Sequence, residues 1–423
     1  TQKIHKRRKM LDRQLVGVLC GGLAVRLLAQ NHADFLGDQP EIVTAMTSLS
    51  GVKTGMFLKQ VGHSPYEGDV FMGNTYLELF QYLEDYGVPF GYFFILVDIV
   101  IAVVARECCR EMMTKPDGEE NIKGELDSLK RTKINADTGL NERGELDYVN
   151  SLWKDSWLEK SIAPNLVAAI YMFNPYTVVS CGGMSLYSLS VLSIMLALWG
   201  SLKGFGALSA ILVLAIKADV SNMLFIVPII VQLGLNVQSV VFLVVLGYLM
   251  QGIVLDLHES FLQGEMFDRQ ILLSPNIGLW WYFFMEMFSQ SRVFFLFLFR
   301  AMPLVFVPAI FFRFKHRPQT MAHVLWMTKL VQNAYPEFSY IGVLCMLLFL
   351  HPIALQRTPN LLAFGTVIVV TTAFLPVMRF MWLVTGAGNA NYYYFQTLGL
   401  NFALASVVLG FVQVSIRRDK YEK

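Results

Sequence analysis

The feature that most constrains this chain is a succession of apolar runs, each close to the length that crosses a bilayer. A hydrocarbon core takes about 20 apolar residues per helix. Such runs fall at roughly 12–30, 88–105, 162–181, 185–200, 203–218, 221–234, 237–255, 293–312, 320–334, 339–352, 360–383 and 394–416. Backbone in lipid must satisfy its own hydrogen bonds, so these runs fold as helices. Composition agrees, since 55% of the 423 residues are hydrophobic and 16% charged, with a mean hydropathy of +0.48. The pattern predicts an all-α polytopic membrane protein, one multispanning domain over 1–423 with about 10–12 transmembrane helices. Several runs are short or interrupted by Pro or Gly, the mark of half-spans that lean on protein rather than lipid.

Orientation follows from the basic residues, which collect on cytoplasmic loops. With a cytoplasmic N-terminus, 25 of the 34 Lys and Arg fall on that side and five on the other. Both termini are therefore read as cytoplasmic. The far side, read as luminal, receives 31–87, 256–292 and the short stretch around 385–393. Within 31–87, EIVTAMTSLSGVKTGMFLKQVG has helical periodicity with polar interruptions, as in a helix lying along the membrane surface, and YLELFQYL is a second short helix. The cytoplasmic loop 106–160 mixes charges with few large apolar residues, so it reads as a solvated linker.

Composition and motif spacing exclude several function classes. A net charge of +2 does not make a nucleic-acid binder. Cysteines 20, 108, 109, 181 and 345 form neither a C-x-x-C pair nor a spaced metal set, so they read as buried thiols, and no metal or cofactor is expected. Cysteine hydrolysis needs a thiolate beside a His. Cys181 is the one plausible luminal thiol, and neither His63, His258 nor His351 has a sequence context that pairs with it. Asp98, inside FILVDIVIAVV, demands a partner, and Arg26 on the preceding helix is the expected one. In FNPYTVVSC, Pro175 is expected to kink its span and free backbone carbonyls that neighbours must satisfy.

Four longer motifs occur in order: SPYEGDVF (64–71), FNPYTVVSC (173–181), SPNIGLWWYFFMEMFSQSRVFFLFLF (274–299) and FLPVMRFMWLVTGAGNANYYYFQTLGLNF (374–402). Together they resemble the PIG-U family of glycosylphosphatidylinositol (GPI) transamidase subunits, over nearly all of the chain except 106–160. The resemblance implies an endoplasmic-reticulum complex that cleaves a C-terminal signal from a proprotein and joins the new carboxyl end to a GPI lipid. It implies a non-catalytic subunit without catalytic residues of its own. The partners implied are PIG-K, the cysteine-protease-like catalytic subunit, with PIG-T, PIG-S and the GPI anchor attachment protein. The family is also similar to GT-C type GPI mannosyltransferases such as PIG-M, which implies a GT-C-like architecture and, as the alternative, a dolichol-phosphate-mannose-dependent transferase. An active GT-C enzyme is expected to carry an Asp-x-Asp or similar acid pair in its first luminal loop. None occurs in 31–87, where Glu67 and Asp69 come nearest.

A GPI lipid presents phosphoinositol and glycan at the interface above two long tails, so its binder needs polar donors at luminal helix ends beside an apolar groove. Residues 385–402 supply both. Gly386 and Gly388 let backbone come close to a ligand, and Asn389 and Asn391 each offer two donors and an acceptor. The resemblance associates this Asn-x-Asn element with GPI recognition. Tyr392, Tyr393 and Tyr394 read as an interfacial aromatic belt. A second set, Trp280, Trp281, Phe294 and Phe295, is expected to face lipid or a partner subunit. Glu286 and Arg292 lie six residues apart, too far for a helical i,i+4 pair, so each is expected to meet another helix or subunit.

Overall fold

The structure, a computed structural model, describes residues 2–65, 74–114, 163–234, 236–262 and 274–421. Regular structure among the described residues is entirely helical. The first part comprises α1 (Gln2–Gln30), α2 (Ala33–Gly37), α3 (Leu49–Val61), α4 (Asn74–Asp85) and α5 (Phe90–Thr114). The middle holds α6 (Ala163–Phe173), α7 (Pro175–Gly182), α8 (Tyr187–Lys203), α9 (Gly206–Ser209), α10 (Leu212–Ala218), α11 (Ile226–Leu233) and α12 (Val237–Leu262). The last part runs through α13 (Trp280–Glu286), α14 (Ser289–Phe314), α15 (Pro318–Gln332), α16 (Phe338–Phe349), α17 (Pro352–Arg357), α18 (Leu361–Leu383) and α19 (Ala390–Tyr421). Most of the loop 106–160, along with Glu67 and Asp69, lies outside the described residues.

Among the described residues, three helices are long and apolar enough to cross a membrane unaided, over Phe297–Phe314, Leu361–Leu383 and Ala390–Arg417, and a fourth span results if α4 and α5 are taken as one bent pair. The protein is an all-α polytopic membrane protein. Several expected spans prove to be broken. The run 162–181 splits at Asn174, whose Oδ1 caps α7 by accepting Tyr176 N–H at 3.0 Å, with Pro175 in the first turn where its missing N–H does no harm. The run 203–218 divides into α9 and α10, and 221–234 opens as a 3-10 turn. α4 and α5 meet at 119° around Gly87, whose φ of +65° is left-handed, and Pro89.

The break at Pro175 frees carbonyls, and a buried cation takes them. Arg26 on α1 is fully buried, donates to Met172 O at 2.6 Å and pairs with Asp98 of α5 at 2.7 Å. Tyr171 O–H completes the cluster, donating to Asp98 Oδ1 at 3.0 Å, while Thr177 O–H donates to Tyr171 O at 2.6 Å. α1, α5, α6 and α8 pack around this polar centre. A second buried cation, Lys329 of α15, reaches Asp219 at 2.8 Å and also donates to Asn222. The charge expected to need a partner inside its span, Asp98, is thus paired within the bundle, and so is Lys329.

The long hairpin of α18 and α19 packs along its own length, and α19 also lies against α15. Connecting segments converge at one end of the molecule. There Leu186 N–H donates to Thr47 O at 3.0 Å and Phe338 N–H to Glu41 O at 2.8 Å, while Tyr394 O–H donates to Leu279 O at 3.3 Å. Elsewhere Lys203 meets Glu111 at 2.6 Å, and Arg313 donates to Ile416 O at 2.9 Å.

Candidate functional site

The turn between α18 and α19 is built from local bonds. Gly386 sits at φ +66°, a conformation that any side chain would strain. Gly388 N–H and Thr385 O–H both donate to Met381 O, at 3.1 and 3.0 Å. Asn389 then caps α19, its Oδ1 accepting N–H from Asn391 at 3.0 Å and from Tyr392 at 3.3 Å. The carbonyl of Asn389 is therefore committed to the helix, and its amide NH2 is the half left for a ligand. Asn391 Oδ1 accepts the Tyr282 hydroxyl at 2.9 Å, which ties α13 to the start of α19. Both asparagines are exposed.

The three tyrosines depart from the expected belt. Successive helical residues point about 100° apart, so one triplet cannot share a face. Tyr392 is exposed, whereas Tyr393 is buried with its hydroxyl 3.2 Å from Glu41 Oε1, and Tyr394 is partly buried against α13.

Tyr393 and Tyr394 are walls of an aromatic cluster centred on Trp281. This indole is 1% exposed, with ring centroids of Tyr282, Tyr393, Tyr394 and Trp382 within 5.5–6.2 Å. Its Nε1–H has no hydrogen-bond partner. Trp280 stacks on Phe299 at 4.2 Å and donates to Gln332 O at 3.4 Å. Phe295 meets Phe283, Phe294 and Phe299, and Phe294 stands 63% exposed at the margin. The structure thus brings Trp281 beside the Asn391 anchor through Tyr282, and joins Trp280 to Phe295 through Phe299. Glu286 is exposed and forms no ion pair among the described residues, and the side chain of Arg292 lies outside the description.

Sequence reasoning missed the polar strap over this end. Arg379, near the end of α18, donates from Nε to Glu41 Oε1 at 2.8 Å and from Nη2 to Gln39 Oε1. Glu41 is fully buried and its Oε2 has no partner. Glu337, also fully buried, accepts hydroxyls from Thr47 at 2.6 Å, Ser185 at 2.7 Å and Ser339 at 2.5 Å. Burial pushes the Glu337 carboxyl above the usual range, and the three hydroxyls pull it back in part. These carboxylates pin residues 39–47 across the connections before α8 and α16 and onto α18. Glu41 and Arg379 are 338 positions apart, and no local pattern links such a pair.

A small cavity lined by Asp98, Tyr171, Ser180, Cys181, Ser185 and Ser339 among others has a volume of about 10 Å³, room for no more than a water. Among the described residues no group of three or more His, Cys, Asp or Glu gathers as metal ligands. The histidines that meet, His323 Nδ1 and His351 Nε2 at 2.7 Å, face each other, and Cys181 is buried beside Asp98 and Tyr171.

Fold and site define a class: a multispanning helical membrane protein whose connecting segments assemble an aromatic and amide surface at one end of the bundle. Its kinship is specific. The chain matches the family described as GPI transamidase subunit PIG-U over residues 19–400, and it belongs to that family. It is 24% identical to the human GPI-anchor transamidase component PIGU, over 96% of this chain and 94% of that protein. It is 25% identical to the GPI transamidase component GAB1 homolog of Schizosaccharomyces pombe, over 92% and 90%. The GAB1 component of Saccharomyces cerevisiae is 27% identical over 58% of this chain and 65% of its own length.

Proposed function

We propose that this chain is a non-catalytic subunit that binds the GPI lipid and presents it to a separate catalytic subunit of the transamidase. The carrying observation is the junction of two unlike surfaces: of the two exposed asparagines at the start of α19, Asn391 accepts the hydroxyl of Tyr282 and so joins the turn to the aromatic cluster of α13. Amides suit hydroxyls and phosphate oxygens, and the exposed rings of Phe283 and Phe294, backed by the cluster around Trp281, suit acyl tails. Under this reading the site end faces the lumen of the endoplasmic reticulum, both termini are cytoplasmic, and PIG-K, PIG-T, PIG-S and the GPI anchor attachment protein are the partners. Gly388 contributes close backbone approach at the same turn.

The test must separate ligand contact from helix capping. Changing both Asn389 and Asn391 to Asp keeps the two carbonyl acceptors that the fold uses and replaces the amide donors with negative charge. Retention of labelled GPI by the purified complex should fall at least tenfold, as expected when bonds worth about 0.5–1.5 kcal/mol each are lost and ligand oxygens go unpaired. The other subunits should still co-purify. Unchanged retention leaves the stretch a turn and nothing more, and lost co-purification makes it a subunit contact.

A further inference from the structure

The Arg379 guanidinium is only partly used by the fold. An arginine in a purely structural bridge turns its whole fork toward acceptors, because each buried N–H left without one is costly. Here Nε is taken by Glu41 and Nη2 by Gln39, but Nη1 has no hydrogen-bond partner among the described residues, and the side chain is 22% exposed. Glu41, completely buried, stands behind the guanidinium and fixes its plane.

A second donor close by is also without an acceptor. Trp281 Nε1 is buried and unpaired. The two donors come from different elements, α18 and α13, and share Tyr393 as neighbour, whose hydroxyl reaches Glu41 Oε1 at 3.2 Å and whose ring lies 5.7 Å from Trp281. Trp382, three residues after Arg379 and so on the same helical face, stacks on Trp281 at 6.2 Å. Arg379 therefore borders the aromatic cluster. Its free Nη1 edge suits an anionic, multiply accepting group held at the rim of an apolar surface.

We infer that Arg379, oriented by Glu41 and Gln39, is an anion-binding residue that takes the phosphodiester of a lipid head group through Nη1. The inference rests on the lipid-binding reading above and assigns it a specificity element. The asparagines recognise neutral hydroxyls, whereas Arg379 separates a phosphate-bearing glycolipid from one lacking phosphate. A guanidinium edge is suited to this because charge-assisted bonds to phosphate are about twice as strong as neutral ones.

The experiment uses the whole purified complex and three probes: a labelled glycosylated phosphatidylinositol, a glycosyl diacylglycerol of the same tails without phosphate, and labelled inorganic phosphate. Replacing Arg379 alone strands the buried Glu41 charge, so the test variant is the pair Arg379→Gln with Glu41→Gln, which leaves two amides able to bond each other. Retention of the phosphorylated lipid should fall at least tenfold while the phosphate-free lipid changes less than twofold. Glu41→Gln alone, which leaves the arginine uncompensated, should hold or raise retention of the phosphorylated lipid. Equal loss of both lipids makes the pair a fold element and overturns the inference. Binding of labelled inorganic phosphate that excess phosphorylated lipid fails to displace assigns the edge to free phosphate and overturns the lipid source. Unchanged retention in the Gln pair, with loss in the Asn389→Asp, Asn391→Asp variant, sinks this inference alone. Unchanged retention in both variants sinks the lipid-binding reading with it.

Discussion

Asp98 shows what one side chain decides in this molecule. It accepts Arg26 and Tyr171 in the middle of the bundle, and all three are essentially out of solvent. Asp98→Ala leaves a buried guanidinium with only backbone and Thr177 acceptors, and breaking a buried pair in this way typically costs about 3–5 kcal/mol. The variant should melt well below wild type in detergent, and Asp98→Asn, which can still accept from Tyr171, should fall between them. A melting profile unchanged by alanine would show that the carbonyls of Tyr171 and Met172 suffice for Arg26. Glu337 has the complementary role, one acceptor for three hydroxyl donors. Glu337→Ala should orphan the hydroxyls of Ser185 and Ser339 at roughly 1–3 kcal/mol apiece when they stay buried, leave Thr47 only its bonds to Thr44, and loosen residues 44–47, read as faster hydrogen exchange there.

Among elements, the α18–α19 hairpin carries the clearest separation of structure from function. Its turn contains two glycines with different duties. Gly386 is left-handed, so Gly386→Ala should destabilise the turn by about 1–2 kcal/mol. Gly388 is not in that region, and a Cβ there would meet Met381 Cβ at 3.4 Å, an ordinary contact. Gly388→Ala should therefore leave the melting temperature in place yet reduce GPI retention, if backbone approach at that point is what the ligand uses. Equal retention in Gly388→Ala and wild type removes Gly388 from the site. The broken helices follow the same logic: Asn174 and Pro175 end one helix and start another, and the carbonyls exposed at the break are what Arg26 holds.

At the scale of the whole molecule, much apolar surface remains uncovered. Within the α18–α19 hairpin Phe374, Val377, Phe380, Phe395, Phe402 and Leu409 are exposed, as suits a chain whose outer faces meet lipid or other subunits. The proposed non-catalytic role predicts tolerance to loss of the acids nearest to a GT-C pair. Glu67→Ala with Asp69→Ala should leave the complex assembled and lower anchoring less than tenfold. A general base removed from a transferase typically costs 10²–10⁴-fold, so a loss of that size in assembled protein would restore the mannosyltransferase alternative.

Periodicity and charge alone determined the helical membrane class, the need for a partner at Asp98, for which Arg26 was one candidate, and the break at Pro175. These are legible because each is a short-range demand: a run of apolar side chains, a lone charge in it, or a ring that cannot donate states its requirement within a few residues. The Asn389–Asn391 turn was likewise visible as a polar gap in an oily run. What the tertiary structure alone decided is how the gap is used. Capping consumes one asparagine carbonyl, helical rotation turns Tyr393 inward away from the interface, and residues 39–47 arrive from the far end of the chain to hold Arg379. Those outcomes depend on which surfaces meet when helices pack, and side chains hundreds of positions apart leave no mark on one another's local sequence.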